Sequence, residues 1–157
     1  NILKLKNYNF HIKLAGDGSS KNYVNNFIKK NNLEDFISLV GWVNEIQKKQ
    51  ALKDATIFLL PSWEEGFPNA LVEAMSSGLA CIVSNVGMIP DFIKDKQNCI
   101  LIKPKNILQI VTSLEKLFND LEYKNMISEN AYFFANTNFT IQNGSNLLSK
   151  AINKLNS

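Results

Sequence analysis

Two glutamates, Glu65 and Glu73, flank the turn Gly66-Phe67-Pro68 within EEGFPNALVEAMSSG (64–78). A pair of carboxylates can move protons across a scissile bond, or it can accept hydrogen bonds from hydroxyls. What lies between the two favours the second use. Pro68 suits the first turn of a helix, where its missing N–H costs nothing. The N–H groups of Asn69, Ala70 and Leu71 then have no helical partners, and with the helix dipole they form an anion site fit for a diphosphate. Gly66 lets the backbone approach a ligand closely. Carboxylates beside phosphates make sense only if they face hydroxyls, and an ionised carboxylate can take both hydroxyls of a vicinal diol. Glu73 therefore reads as ribose-binding. Glu65, the candidate catalytic residue, reads as facing a hydroxyl or a developing charge beyond the phosphates. A sugar nucleotide satisfies both. The competing reading makes Glu64, Glu65 and Glu73 surface acids favoured near a helix N-terminus.

Those residues need a frame. Strand-like apolar runs at 10–16, 36–41, 56–61, 79–84 and 98–104 alternate with helix-like segments at 21–32, 44–55 and 69–78 and a short helix after Gly87. Ser19 or Ser20 is the expected N-cap of the first helix and Asn44 of the second; Gly78 closes the helix that carries Glu73. From 105 onward only helices are expected, over 107–120, 121–137 and 140–157. Ile107, Ile110, Val111, Leu114 and Leu117 recur at helical spacing. The alternation implies an α/β, Rossmann-like three-layer sandwich, a parallel sheet with helices on both faces. A single domain over 1–157 is expected. Right-handed crossovers align the strand C-terminal ends along one edge, where such folds bind ligands. Glu65 falls at that edge, directly after the strand at 56–61.

Composition narrows the function classes. The 157 residues, 45% hydrophobic and 20% charged, suit an ordinary globular domain and argue against disorder. A net charge of +3 falls short of the excess expected of a nucleic-acid binder; it suits an anionic small ligand, and at most peripheral contact with a membrane surface. No apolar run approaches the ~18–20 residues that span a bilayer. NILKLKNYNF lacks the marks of a signal peptide, and without an initiator Met the chain reads as part of something longer. Cys81 and Cys99, each in an apolar run, read as buried thiols of a reducing compartment. His11 has no ligand-spaced neighbour, so no metal site is expected and no Ser-His or Cys-His pair. Trp42 and Trp63 follow apolar strands and read as strand-end packing ahead of ligand stacking. Lys29, Lys30, Lys48, Lys49, Lys103 and Lys105 read as solvated faces, and Tyr132, Phe133, Phe134 and Phe139 as packing.

The stretch PSWEEGFPNALVEAMSSGLACIVSNVGMIPDFI (61–93) resembles the donor-site signature of the retaining GT-B glycosyltransferases of family 4. It matches at Pro61, Ser62, Glu65, Gly66, Phe67, Pro68, Glu73, Ala74, Met75, Gly78, Val83, Ser84 and Gly87. LAGDGSS (14–20), LVGWV (39–43) and KDATIFLLPS (53–62) resemble the flanking segments. The resemblance implies the C-terminal, donor-binding half of a GT-B fold. It implies that Glu73 binds the ribose and that Glu65 contacts the transferred sugar. Gly66 and the backbone at Phe67, Asn69, Ala70 and Leu71 should meet the sugar and diphosphate. Trp42 and Val43, with Gly41, should lie beside the base, and Gly16 and Gly18 should border the donor cleft. It implies a nucleoside diphosphate sugar as donor and neither metal nor other cofactor. It further implies hexose transfer with retention to a glycan or lipid-linked acceptor in surface polysaccharide assembly, at a cytoplasmic location or the inner membrane face.

This chain departs from the pattern in places. No G-R…K-G segment precedes residue 10 to neutralise a leaving diphosphate, and Lys4, Lys6 and Lys13 are wrongly placed to replace it. The N-terminal acceptor domain is absent from the sequence. Met88, Asp91 and Cys99 stand where the family has Gly, Glu and Gly. The chain alone is therefore expected to bind a nucleotide weakly and to transfer nothing. Two rivals remain: a non-catalytic α/β partner-binding module, and a sugar-nucleotide epimerase or glycan phosphorylase of the same architecture. A two-carboxylate glycosidase fits less well, because a proline turn and a helix start lie between Glu65 and Glu73.

Overall fold

In a computed structural model, residues 1–140 and 142–143 are described. They divide into two compact units, Asn1–Asp54 and Ala55–Ser157. The helix expected over 140–157 lies outside the described residues except at 140, 142 and 143.

The first unit opens with a short helix, α1 (Ile2–Leu5), followed by β1 (Ile12–Ala15), α2 (Lys21–Lys30), β2 (Ile37–Gly41) and α3 (Glu45–Asp54). β1 and β2 pair in parallel, from Ile12 opposite Ile37 to Ala15 opposite Gly41. Asn44 caps α3 as expected, and reciprocally: its Oδ1 accepts from the Gln47 N–H and Gln47 Oε1 accepts from the Asn44 N–H, each at 2.9 Å. The cap of α2 differs. Ser20 holds the N-cap position with helical dihedrals and makes no side-chain cap bond. Asp17 serves the turn instead, accepting from the Gly18 N–H at 2.8 Å and from Lys21 Nζ at 2.7 Å. The Lys21 ammonium holds the Asp17 carboxyl below the usual range.

The second unit contains β3 (Ile57–Leu60), α4 (Asn69–Ser76), β4 (Ala80–Ser84), α5 (Ile89–Phe92), β5 (Ile100–Ile102), α6 (Ile107–Asn119) and α7 (Leu121–Asn138). The sheet order is β3-β4-β5, all parallel. Side chains alternate across a strand, so burial at every position of β4 means that both of its faces are covered. The covering stripes follow helical periodicity: Leu71, Ala74 and Met75 on α4; Val111, Leu114 and Leu117 on α6; Ile127, Ala131 and Ala135 on α7. The fold is Rossmann-like α/β, built of parallel sheets and helices.

Two turns set the path of the second unit. Gly78 adopts φ +77 after α4; its N–H donates to the Met75 carbonyl at 2.9 Å, and the Leu79 N–H to the Ala74 carbonyl at 3.1 Å. This Schellman closure delivers the chain directly into β4. At the other end of the unit, Asp120 separates α6 from α7. Its Oδ1 accepts from the Tyr123 N–H at 2.9 Å and its Oδ2 from Lys116 Nζ at 2.6 Å.

Cys81 and Cys99 are fully buried, as expected, on neighbouring strand paths. Cys99 Sγ donates to the Cys81 carbonyl at 3.1 Å. Burial pushes the Cys81 thiol well up, and its contact with Cys99 adds to the rise, so the thiol stays neutral. Thiol reagents at neutral pH are expected to leave both cysteines unmodified in the folded chain and to label both in denaturant. Rapid labelling of either one in the folded chain, read by mass spectrometry, would contradict this packing.

Candidate functional site

β3 ends at Leu60, and the loop from Pro61 to Pro68 leads into α4. Three contacts hold this loop. First, Ser62 Oγ donates to Glu65 Oε1 at 2.7 Å. Among the described residues, the other carboxylate oxygen takes no further bond. Second, Gly87, in the turn after β4, lies against the loop backbone at φ +56. A Cβ there would sit 1.8 Å from the Glu65 carbonyl oxygen and 3.4 Å from that of Gly66. Third, the Phe67 ring packs 5.9 Å from Phe92, the last residue of α5, and 5.8 Å from Phe139, which caps α7.

The start of α4 departs from expectation. Pro68 is the N-cap, at φ −84 and ψ 78, one position before the first turn. The loop folds back on itself there. The Asn69 N–H donates to the Phe67 carbonyl at 3.0 Å, and the Leu71 N–H to the Pro68 carbonyl at 3.0 Å. Of the three amides expected to be open, only that of Ala70, an exposed residue, lacks a partner among the described residues. Glu73 stands one turn further along, half-buried, and its carbonyl accepts from Ser77 Oγ at 2.8 Å. The second unit thus places Glu65, Gly66, Phe67, Asn69, Ala70 and Glu73 along one loop and helix start. The Leu71 side chain is instead fully buried in the core.

In the first unit, Gly16 and Gly18 line a hollow of ≈ 360 Å³ at the C-terminal ends of β1 and β2, together with Leu14, Ser20, Val24 and Gly41. Trp42 and Val43 follow β2 and do not line it. Trp42 is 82% exposed and Trp63 68%, so neither packs at its strand end as expected. Lys105 Nζ lies over one face of the Trp63 ring, 4.3 Å from its centroid, so Lys105 is not simply a solvated charge. Phe134 and Phe139 pack as expected, while Phe133 is 66% exposed.

The departures in the signature cause no backbone difficulty. Met88 is the N-cap of α5 at φ −83, a conformation open to any residue. Cys99 is absorbed into the core, and the buried Asn98 side chain closes its turn by accepting from the Lys94 N–H at 2.9 Å. Asp91 lies exposed in the first turn of α5.

Ser62 and Gly87 take part without a role expected from the sequence, and Phe139 with no role expected beyond packing. Ser62 and Gly87 matched the signature without any stated task; the spacing of Ser62 and Glu65 across a single turn was the available signal. For Phe139 the sequence signals packing but not the partner, because its contact with Phe67 is made across the fold.

A family model described as "Glycosyl transferases group 1" matches residues 1–133. The UDP-Gal:alpha-D-GlcNAc-diphosphoundecaprenol alpha-1,3-galactosyltransferase of Escherichia coli is 35% identical over 118 residues, covering 74% of this chain and 30% of the relative. The amylovoran biosynthesis glycosyltransferase AmsK of Erwinia amylovora is 36% identical over 99 residues, covering 59% of this chain and 24% of the relative. Among solved structures, Anabaena HepE in complex with UDP superposes with a TM-score of 0.82 at 19% identity, covering 92% of this chain and 41% of that one. The chain spans about a third of the length of the curated relatives it matches.

Replacing Gly87 with Ala tests how tightly the two loops meet. The left-handed φ and the clash with the Glu65 carbonyl together are expected to destabilise the fold by about 2–4 kcal/mol in urea unfolding. The Glu65 and Gly66 amide resonances should move as well. An unchanged midpoint with unmoved amides would refute the close approach.

Proposed function

The chain belongs to the glycosyl transferases group 1 family, and on that premise we propose that it carries the donor-nucleotide site of a hexosyltransferase. The donor is a nucleoside diphosphate sugar, and the acceptor is a glycan or a lipid-linked glycan in surface polysaccharide assembly. One observation carries this reading: Glu65, the open Ala70 N–H and Glu73 follow one another along a single loop and helix start. That is the order needed to meet a sugar, a diphosphate and a ribose. The names of the two relatives support it, one specifying a UDP-sugar and a diphosphoundecaprenol-linked acceptor, the other a polysaccharide.

In this reading the diphosphate rests against the first turn of α4. Ala70 N–H is its donor, the aligned peptide dipoles lie behind it, and Gly66, Phe67, Asn69 and Leu71 border it. Glu73 accepts from the ribose hydroxyls. Ser62 occupies one oxygen of Glu65, which leaves the other for the transferred hexose. As the bond between the anomeric carbon and the diphosphate breaks, negative charge collects on the leaving group, where the fixed amide dipoles stabilise it. Positive charge grows on the sugar ring, where the Glu65 carboxylate faces it. Trp42 and Val43 are proposed to contact the base, and Gly16 and Gly18 to border the nucleotide. Retention, independence from metal and an acceptor site outside this chain belong to the same proposal. The single domain over 1–157, a cytoplasmic location and contact with the inner membrane face do too. Among the described residues, no helix is long and apolar enough to cross a membrane.

The test is a ligand-observed NMR screen of the chain against UDP, GDP, ADP and their sugar conjugates, repeated with Glu73→Ala. One nucleoside diphosphate is expected to bind, and the variant to lose about 10- to 100-fold in affinity, the worth of hydrogen bonds to a charged group. Equal binding by both proteins would remove Glu73 from the site. If the wild-type chain binds none of them while folded, the donor reading fails for this chain.

A further inference from the structure

We propose that Phe139 is a positioning residue for the donor loop, setting from the end of α7 the backbone that presents Glu65 and the Ala70 N–H. The inference rests on the donor-site reading above. Phe139 is the hub of a ring cluster in the second unit. Its centroid lies 5.3 Å from Phe92, 5.8 Å from Phe67 and 5.8 Å from Phe134, at interplanar angles of 80°, 70° and 74°. These are edge-to-face arrangements, which hold aromatic rings in a preferred orientation as well as in contact.

Two of these three rings, Phe67 and Phe92, come from the two segments that form the site. Phe67 belongs to the loop after β3. Phe92 ends the short helix that begins just after Gly87, the glycine pressed against the Glu65 carbonyl. A single ring therefore braces both segments where they meet. Phe67 in turn accepts the Asn69 N–H at its carbonyl, so its position sets the turn that leaves the next amide, that of Ala70, open. Phe67 is 44% exposed, and among the described residues Phe92 is the one other ring packed against it. Phe139 is itself held in place by α7: its N–H donates to the Ala135 carbonyl at 2.9 Å, and Ala135, Ala131 and Ile127 are buried below it.

The experiment compares Phe139→Ala, Phe139→Leu and Phe139→Tyr with Phe133→Ala, an exposed ring on the same helix. In the ligand-free chain, Phe139→Ala is expected to shift the Gly66, Phe67 and Ala70 amide resonances. Phe139→Tyr, which keeps the ring, and Phe133→Ala should leave them in place. If Phe139→Ala does not fold, Phe139→Leu supplies the ring-less side chain. Affinity for whichever of UDP, GDP or ADP the wild-type chain binds should fall roughly three- to tenfold without the ring, the worth of one or two aromatic pairs, and recover in Phe139→Tyr. Unmoved loop amides in a folded ring-less variant overturn the proposal, and so does an affinity loss that the Tyr variant fails to restore. If the wild-type chain binds none of the three nucleotides, it is the donor reading that fails, and the amide shifts still decide whether Phe139 sets the loop.

Discussion

Much of the second unit's site depends on one steric fact: at Gly87 there is no room for a side chain. The loop after β3 and the turn after β4 approach until a Cβ would penetrate the Glu65 carbonyl. β3 and β4 are adjacent parallel strands, so their C-terminal ends emerge side by side, and any pair of loops leaving them competes for the same space. Glycine at the contact resolves that competition. It lets the Glu65–Gly66 backbone lie down on the neighbouring turn, fixing where the carboxylate begins. Ser62 then fixes where one of its oxygens points.

The core serves this arrangement by being immovable. β4 is sealed on both faces, and the Schellman turn at Gly78 joins it to α4 without slack. The helix start that offers the Ala70 amide is therefore tied to the central strand at its far end and to the ring cluster at its near end. A close-packed interior transmits displacement instead of absorbing it. Residues remote from the loop thus share control of its geometry.

The elements were largely legible in the sequence because their signals are local. Strands at 56–61 and 79–84 announced themselves by continuous apolar runs, Gly78 by its place after a helix, and Asn44 by its place before one. Site residues were legible only as types. Glu65 and Glu73 could be assigned to a loop and a helix, but the state of the amides between them could not. Whether Asn69 or Leu71 already has a partner depends on how tightly Pro68 folds the loop, a matter of a single ψ angle. Trp42 and Trp63 misled for the opposite reason: large apolar side chains beside strands usually pack, yet both are exposed. Phe139 was legible as a packing residue but its pairing was not, because Phe67 is remote in sequence and nothing in either neighbourhood encodes the other.

The junction at Asp120 has a consequence for how this protein tolerates change in length. A single residue ends α6 and caps α7, with no loop between to take up an error. From that origin α7 runs for 18 residues, about 27 Å, and delivers Phe139 onto the loop after β3. The helix acts as a ruler with an angular scale. One residue inserted near Asp120 would advance its far end by about 1.5 Å and turn it through about 100°. That rotation would carry the stripe of Ile127, Ala131 and Ala135 off the core and the terminal ring away from Phe67. Substitutions along the exposed side of α7 leave this phase untouched, so the helix can drift widely in composition while its residue count stays fixed.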